Sequence, residues 1–166
     1  IIYSHGVIHH SPDIKKIVNE IYRVLNKNGE LVLMLYNKNS FNYFVSIYLI
    51  RRIGLIFIIL FPFLKKIISK YTGEEIDRIN IHVLNFKKFG LKYLKMKNFL
   101  HKSTDGPLNE FSSVWTKNSS KELLKKFKQF KFKVHFLNER QLIFINKILS
   151  KSFKNKLSRI FGWHLW

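Results

Sequence analysis

The chain of 166 residues contains no cysteine, no alanine, only 3 prolines and only 10 acidic residues. Without cysteine, disulfide bonds and cysteine-ligated metal sites are excluded, so the chain is neither a small disulfide scaffold nor a zinc finger. No G-x-S-x-G pattern occurs, which removes the nucleophile elbow of a serine hydrolase. Hydrophobic residues make up 46% of the chain, enough to bury a core, so we expect one folded domain or part of one.

The charge is strongly one-sided, with 30 Lys and Arg giving a formal net charge of +20. Clustered cations bind nucleic acid by releasing counterions from phosphates. However, Ile, Lys, Asn, Phe and Tyr, whose codons are rich in A and T, make up about half of the chain. Genome bias therefore accounts for much of the lysine, and we disfavour a nucleic-acid partner. A basic nucleic-acid-binding module without catalysis stays an alternative hypothesis.

Both ends of the chain lack the features of natural termini, since it begins with Ile1 and ends with Trp166 in an apolar run. We therefore expect a fragment. No secretory signal is visible, and we expect a cytoplasmic protein, with membrane association as a second expectation. The most apolar segment, Phe41 to Leu64, is split by two arginines into a longest apolar run of 12 residues. At about 1.5 Å per residue this run is too short for a hydrocarbon core of about 30 Å, so we expect no membrane crossing.

The first 36 residues predict a strand, a helix and a second strand. Ile1-Ile2-Tyr3 is typical of the end of a strand, and Ser11-Pro12-Asp13 signals a helix start capped by its serine. Apolar residues then recur on one helical face from Ile14 to Leu25. We expect a left-handed Gly29 to end this helix before the continuously apolar strand from Leu31 to Tyr36. Such a unit predicts a three-layer α/β sandwich.

The rest of the chain predicts a helical insertion and a return to the sheet. Residues 41–99 are rich in Ile, Phe, Leu and Lys and predict a mostly helical insertion or lid. Ser119-Ser120-Lys121-Glu122 predicts a capping box that opens a helix with inward residues as far as Phe130. Apolar residues alternate with lysine and histidine over 131–136, which predicts a half-exposed strand. After a basic segment from Lys147 to Arg159, Gly162 to Trp166 predicts the start of a final strand.

The start of the chain resembles the second half of class I S-adenosylmethionine-dependent methyltransferases. This family commonly has hGVLHH, an acidic helix start, and E-hydrophobic-RVLKPGG before an apolar strand. Here the same places hold His5-Gly6-Val7-Ile8-His9-His10 and Glu20 to Gly29, with Asn28 where the family often has glycine. The later strings HKSTDGPLNEFSSVWT and GWHLW are more loosely similar to a branch with a long insertion after the fifth strand. The resemblance implies a partial Rossmann-like α/β sandwich: strands four to seven of a seven-stranded sheet, with a helical insertion.

The resemblance also implies the cofactor, S-adenosyl-L-methionine, and makes residues 1–166 a partial methyltransferase domain. In the family, a glycine-rich turn and an acid at the end of the second strand hold much of this cofactor. None of the 7 glycines here forms a GxGxG, so we expect the chain alone to bind the cofactor poorly and to be inactive without a missing N-terminal half. The resemblance implies that the turn after the first strand contacts the cofactor, through Ser4, His5, Gly6 and Val7. It implies His9 and His10 as the candidate catalytic residues.

Acceptor-binding residues are expected after the fifth strand and in the insertion, because ligands of open α/β sheets lie outside the carboxyl ends of the strands. An oxygen or nitrogen acceptor benefits from a general base, and an imidazole titrates near neutrality. Core packing is the alternative for the aromatic candidates, and a surface or capping role for the others. The candidates are Tyr36, Asn37, Tyr43, His82, His101, Asp105 and Trp115.

The expected function is methyl transfer to a small-molecule acceptor, which we expect to be hydrophobic or lipid-linked. A metal site is disfavoured, because the acid nearest to the clustered histidines, Asp13, is explained by the helix start. Residues 41–70 combine apolar residues with flanking cations and are candidates for peripheral contact with an anionic membrane. A membrane-surface module without catalysis is therefore a further alternative. The sequence does not indicate an oligomeric state.

Overall fold

The computed structural model describes residues 1–137 and 149–166, and the chain divides into two compact units. The first unit takes in residues 1–43 and the described part of 112–166 and contains a mixed sheet. The second unit, residues 44–111, is helical. The chain is therefore α/β, as predicted, while the assignment of 41–99 as an insertion or lid stays a prediction.

A parallel pair of strands opens the first unit. Strand β1 (Ile2–His5) pairs with β2 (Leu31–Asn37), beginning with the first residue of each. A 3-10 turn (Ile8–His10) and helix α1 (Ile14–Val24) connect them. Parallel strands need a crossover connection of this length, because a tight hairpin would make them antiparallel. The predicted strand-helix-strand unit is confirmed.

Both ends of α1 differ from the prediction. The N-cap is Asp13, whose Oδ1 accepts a hydrogen bond from the backbone N–H of Lys16 at 3.1 Å. Ser11 Oγ instead accepts from the backbone N–H of Asp13 at 3.2 Å. The prediction of a left-handed Gly29 is also wrong, since its φ is not positive. A Cβ there would lie 2.8 Å from Leu25 Cδ1, so this glycine provides space rather than a special backbone conformation.

Three short strands complete the sheet around β2. Strand β5 (His164–Leu165) is antiparallel to β2, and β4 (Val134–His135) is antiparallel to β5, in the order β1-β2-β5-β4. Strand β3 (Val114–Trp115) pairs in parallel with the end of β2. The predicted final strand is confirmed as β5. The strand predicted over 131–136 is only two residues long. It ends before Phe136, which takes a φ of 70°, rare for a residue other than glycine.

Helix α6 (Lys117–Leu123) begins earlier than predicted. Thr116 is its N-cap: Oγ1 accepts from the backbone N–H of Ser119 at 3.0 Å, and Ser119 Oγ accepts from the backbone N–H of Thr116 at 2.9 Å. The box predicted over residues 119–122 is therefore wrong by three residues. The helix ends at Leu123, so Phe130, predicted to point inward, is exposed.

Helix α7 (Lys151–Phe161) packs along β4. Its N-cap is Ser150, whose Oγ accepts from the backbone N–H of Phe153 at 3.2 Å. The predicted basic segment lies on this helix, except that residues 147 and 148 are outside the described part of the chain. The helix has no fully buried side chain, as its many lysines lead one to expect.

One face of the sheet carries the core of the first unit. Leu33 and Leu35, two residues apart on β2, pack with Ile14 and Val18, four residues apart on α1. These spacings place both pairs on one side of their elements. Other apolar residues pack against this cluster while only partly buried: Ile17, Leu31, Trp115, Leu123, Leu124 and Phe127.

The second unit is built from helices. A π-helix (Asn42–Arg51) runs directly into α2 (Arg52–Leu60), and α3 (Leu64–Thr72), α4 (Ile76–Phe89) and α5 (Met96–Thr104) follow. Helix α4 packs against both α2 and α3. The buried apolar side chains of this unit are Ile47, Leu55, Ile58, Ile79, Val83, Tyr93, Leu94, Phe99 and Leu100.

The helix from Asn42 to Leu60 passes through Arg51 and Arg52 without a break and has 19 residues. The sequence argument treated these arginines as an interruption of the apolar segment, whereas the helix continues through them. In the described part of the chain this is the one helix that is long and apolar enough to cross a membrane, judged by length and composition only, and 22% of it is buried. That it does not cross a bilayer stays a prediction.

Candidate functional site

The turn after β1 lies at the carboxyl end of that strand, where ligands of α/β sheets bind. Gly6 has a φ of 71°, which glycine adopts without strain. A Cβ here would lie 3.6 Å from Met34 Cε, an ordinary contact, so the backbone conformation rather than lack of space calls for glycine. Ser4 and Gly6 are half-buried and Val7 is exposed. The predicted cofactor turn therefore keeps part of its backbone at the surface.

His9 is fully buried beneath this turn. Its ring centroid lies 3.9 Å from that of Tyr36 and 4.4 Å from that of His10. Its carbonyl oxygen accepts hydrogen bonds from both the backbone N–H of Ser113 at 2.9 Å and the Ser113 hydroxyl at 3.0 Å. The main chain of His9 thus ties the β1 turn to the segment before β3, and its ring packs under the edge of the sheet.

His10 is only half-buried. Its Nδ1 lies 3.1 Å from the hydroxyl of Ser112, and its ring meets the Tyr36 ring edge-on with centroids 5.8 Å apart. The hydroxyl can donate to or accept from the imidazole, depending on the tautomer. The Ser112 hydroxyl and the Tyr36 ring thus contact the imidazole of His10, and the catalytic role of both histidines stays a prediction.

Asn37 and Trp115 face each other in register on β2 and β3. The side chain of Asn37 is buried; its Nδ2 donates to the carbonyl of Gly162 at 2.9 Å, and its Oδ1 accepts from the backbone N–H of Asn39 at 3.0 Å. The Trp115 indole donates to the hydroxyl of Ser113 at 2.9 Å. The polar atoms of both residues are therefore engaged in holding this edge of the sheet together. Their predicted role in acceptor binding stays a prediction.

The remaining candidates of the first unit lie at this edge or beside it. The backbone N–H of Tyr43 donates to Ser40 Oγ at 3.1 Å at the start of the π-helix. His5 belongs to a different group of rings: its imidazole stacks on Trp166 at 5.0 Å and meets the edge of His164 at 5.7 Å. Burial, and then the charges of His5 and His135, lower the pKa of His164 to about 4. In the described part of the chain, no group of three or more His, Asp or Glu residues could hold a metal ion.

His82 lies on α4 in the second unit. Its Nδ1 is 2.7 Å from the hydroxyl of Tyr93, a buried residue. Burial, and then the charge of Arg51, lower the pKa of His82 to about 4, while burial raises the pKa of Tyr93 to about 12. The Tyr93 hydroxyl therefore keeps its proton and can donate it in a hydrogen bond to a neutral His82. An imidazole with such a low pKa is a weak base, which favours a structural role.

His101 and Asp105 lie at the end of α5, also in the second unit. The His101 ring stacks on Phe111 at 4.9 Å, and its carbonyl accepts from Asn109 Nδ2 at 2.7 Å. Asp105 is exposed and is the C-cap residue of α5. Both residues thus help to shape the loop that follows α5, and their role in acceptor binding stays a prediction.

Three residues at the edge of the sheet were not among the candidates. Ser112 and Ser113 contact the two histidines, although about 100 residues separate them in the chain. Trp163 stacks on Tyr36 with centroids 4.4 Å apart. For Ser112 and Ser113, the signal in the sequence is the polar string before Trp115. Serine is too common in loops for that string to identify either serine as a site residue.

The family model described as "Methyltransferase domain" matches residues 1–33. This part of the chain therefore resembles a methyltransferase domain. The match includes β1, the turn with Gly6, the buried His9, the half-buried His10, α1 and the first three residues of β2. It confirms the resemblance to class I methyltransferases and indicates methyl transfer as the general activity. Neither a curated protein nor a solved structure matches the chain.

Proposed function

We propose that this chain provides the acceptor side of an S-adenosylmethionine-dependent methyltransferase that acts on a small, hydrophobic or lipid-linked molecule. The observation that carries the proposal is the methyltransferase match over residues 1–33, together with the position of the Ser4–His10 turn at the carboxyl end of β1. We assign β1, β2, β4 and β5 to strands four, five, six and seven of the family's sheet. The parallel β1-β2 pair and the final strand beside β2 support this assignment.

The residues of the turn suit the cofactor. Gly6 has no side chain to block the approach of a ligand, and its positive φ turns the backbone sharply after β1. In this proposal the main chain of Ser4 and His5 would hold the amino group of the cofactor, and Gly6 and Val7 would lie beside the bound cofactor. When bound, S-adenosylmethionine supplies a methyl carbon activated by a positively charged sulfur.

The chain's own residues then have to align the acceptor and exclude water, because little acid-base chemistry is obligatory. We assign the removal of a proton from an oxygen or nitrogen acceptor to His10, since its ring is half-exposed and held by Ser112 and Tyr36. His9 is fully buried and is assigned the positioning of Tyr36 and of the turn. Tyr36 and Trp115 are assigned to the apolar wall of the acceptor site.

The cofactor is tested by calorimetric titration with S-adenosylmethionine and S-adenosylhomocysteine. The chain has no GxGxG, so we propose weak binding by this chain alone and tight binding by a protein in which a methyltransferase segment with the glycine-rich turn is joined ahead of Ile1. Tight binding by the chain alone would overturn the proposed dependence on another segment and leave the methyltransferase assignment in place. Absence of binding by both proteins would overturn the assignment itself.

The role of His10 is tested in whichever protein binds the cofactor. His10→Gln is expected to leave the dissociation constant of the cofactor unchanged and to reduce methyl transfer to an oxygen or nitrogen acceptor by about 10²-fold or more, the usual contribution of a general base. Lys15→Gln, an exposed substitution on α1, is the matched control. Equal methyl transfer by the His10 variant and the control would contradict the assignment.

A further inference from the structure

Helix α2 is apolar on all sides, yet only one side is covered. Leu55 and Ile58 are buried within the helical unit. Ile53, Ile56, Phe57 and Leu60, at spacings i, i+3, i+4 and i+7, form a stripe on the opposite side and are between 41% and 63% exposed. A soluble helix normally carries polar residues there. The outer side of α2 therefore has the composition of a buried surface but is exposed in the part of the chain that the structure describes.

The stripe continues past the end of the helix. Phe61 and Phe63, in the turn that leads to α3, are 47% and 66% exposed. We call the six exposed residues from Ile53 to Phe63 the apolar face. Exposed contiguous apolar patches on soluble proteins are usually small, and larger ones mark sites of interaction with proteins or membranes.

The charges around the apolar face indicate which of these partners it suits. No acidic residue occurs from Leu31 to Gly73. On α3, the exposed Lys66 and Lys70 alternate with the exposed apolar residues Ile67 and Tyr71. Lysines next to exposed apolar and aromatic residues are typical of a surface that binds a membrane with anionic lipids. The apolar groups are buried at the acyl region, and the cations are attracted to the negative headgroups.

We propose that the apolar face docks on the surface of an anionic lipid bilayer, with α2 lying in the interface. A spanning helix from Asn42 to Leu60 would place Arg51 and Arg52 at the bilayer centre, which is costly. Arg51 is also tied to its own unit, because Nη1 donates to the carbonyl of Ser103 at 2.9 Å and Nε donates to Ser46 Oγ at 3.3 Å. An interfacial position leaves these bonds and the buried side of α2 intact.

The proposal is tested by flotation of the full chain with vesicles of phosphatidylcholine alone and of phosphatidylcholine mixed with phosphatidylglycerol. The chain is expected to float with the mixed vesicles and to be released by high salt. Stable retention through alkaline carbonate extraction would indicate a spanning helix, and failure to float with the mixed vesicles would remove the lipid partner; either result overturns the proposal. Vesicle binding does not depend on methyl transfer, so these outcomes are separate from those of the cofactor titration.

Two pairs of variants separate the contributions of the apolar face and the lysines. Phe57→Gln with Leu60→Gln is expected to abolish flotation, whereas Leu108→Gln, at a more exposed apolar position outside the face, leaves it unchanged. Lys66→Glu with Lys70→Glu is expected to weaken binding by about fivefold or more for each lysine. Lys87→Glu with Lys88→Glu, the same charge change on α4, is the control. Equal losses in a variant pair and its control would overturn the proposal.

Because the chain has no cysteine, one can be introduced as a site for an environment-sensitive dye. A dye on Phe57→Cys is expected to shift its emission to the blue with mixed vesicles, and a dye on Leu108→Cys is not. A blue shift at residue 57 that depends on protein concentration and not on vesicles would mean that a second copy of the chain covers the apolar face. That outcome would overturn the membrane proposal.

Discussion

At the residue scale, two glycines of the first unit are required for different physical reasons. Gly6 has a φ of 71°, and a Cβ there would make only an ordinary contact with Met34, so only its backbone conformation is special. Gly162 has an ordinary φ of −62°, but a Cβ there would overlap the carbonyl oxygens of His135 and Ser158. At Gly6, any other residue would be strained by the backbone conformation. At Gly162, a side chain would not fit because α7 approaches β4 closely.

We expect this difference to appear in stability. Gly6→Ala should lower the free energy of unfolding by about 1–2 kcal/mol, the cost of a left-handed conformation. Gly162→Ala should cost more, because two backbone segments must move apart. Gly54→Ala, in open space on α2, should instead stabilise the protein by about 0.5–1 kcal/mol. Urea unfolding followed by circular dichroism measures all three, and a Gly162 variant as mild as the Gly6 variant would contradict the packing of α7 on β4.

A second residue-scale prediction concerns His82. Its pKa falls from 6.5 to about 4 on folding, because burial and then the charge of Arg51 disfavour the imidazolium. At a pH between these two pKa values, His82 binds a proton in the unfolded chain but not in the folded one, so unfolding takes up a proton. His82 therefore contributes stability that is fully present above pH 6.5 and is lost as the pH falls toward 4. Imidazole NMR should show His82 neutral at pH 5; a midpoint near 6.5 would contradict this.

The stability measurement that accompanies the titration uses His82→Asn. This variant should lose less stability than the original chain between pH 7 and pH 5 in urea unfolding. Some loss will persist, because burial also lowers the pKa of His164 to about 4. Tyr93→Phe is the matched variant, since it removes the hydroxyl next to His82 without removing the imidazole; it should cost about 1 kcal/mol at pH 7, the value of one hydrogen bond.

At the scale of the elements, local hydrogen bonds decide where helices begin. Ser and Thr that are close in sequence compete for the cap, and the one whose hydroxyl reaches the third backbone N–H of the helix prevails. For α6 this is Thr116, and the reciprocal bond comes from the Ser119 hydroxyl rather than from Glu122. Glu122 instead pairs with Lys125 at 2.7 Å on the exposed side of the chain.

The caps of α6 give a direct test. Thr116→Ala should lower the free energy of unfolding by about 1 kcal/mol, because it leaves a backbone N–H of the first turn without its partner. Thr116→Ser keeps the hydroxyl and should restore most of this stability. Glu122→Ala should have a smaller effect than Thr116→Ala, since its ion pair is exposed. The reverse order in urea unfolding would favour the box that the sequence predicted.

The elements with strong periodicity could be predicted from the sequence, and the others could not. The β1-α1-β2 unit is marked by one apolar helical face and a continuously apolar strand, and the structure has it within a few residues. β4 has only two residues, so no alternation of side chains can define its ends. In the second unit the separate helices were not predicted, because apolar residues lie on all sides of the helix from Asn42 to Leu60 and leave no period to detect.

The candidate site was predictable to a similar extent. Residues that follow strands could be expected at the carboxyl edge of the sheet, and the structure brings His9, His10 and Tyr36 together there. Ser112 and Ser113 join them only through the fold, so their contacts with the two histidines could not be inferred from spacing. The difference in burial between His9, which is buried, and His10, which is half-buried, arises from packing. It could not be predicted from the sequence, because the two residues are adjacent and of the same type.

At the scale of the whole molecule, charge repulsion opposes folding. The chain has 30 cationic and 10 acidic residues. Ion pairs in the described part of the chain lie within single helices or at their ends and are largely exposed; they join Arg23 to Glu20, Lys125 to Glu122, and Arg78 to Glu74 and Glu75. Such pairs contribute little to stability. Most of the positive charge is therefore balanced by solvent ions rather than by the protein.

We consequently expect added salt to stabilise the protein. Sodium chloride shortens the screening length to about 10 Å at 0.1 M and weakens repulsion between lysines that lie farther apart than this. Urea, which is uncharged, is the denaturant of choice, and its midpoint should rise with salt concentration. Lys87→Glu with Lys88→Glu lowers the net charge from +20 to +16, because each substitution changes it by two, and should reduce the slope of this rise. A midpoint that falls with salt would mean that specific ion pairs outweigh the general repulsion, since salt weakens both but only the loss of attraction destabilises the fold.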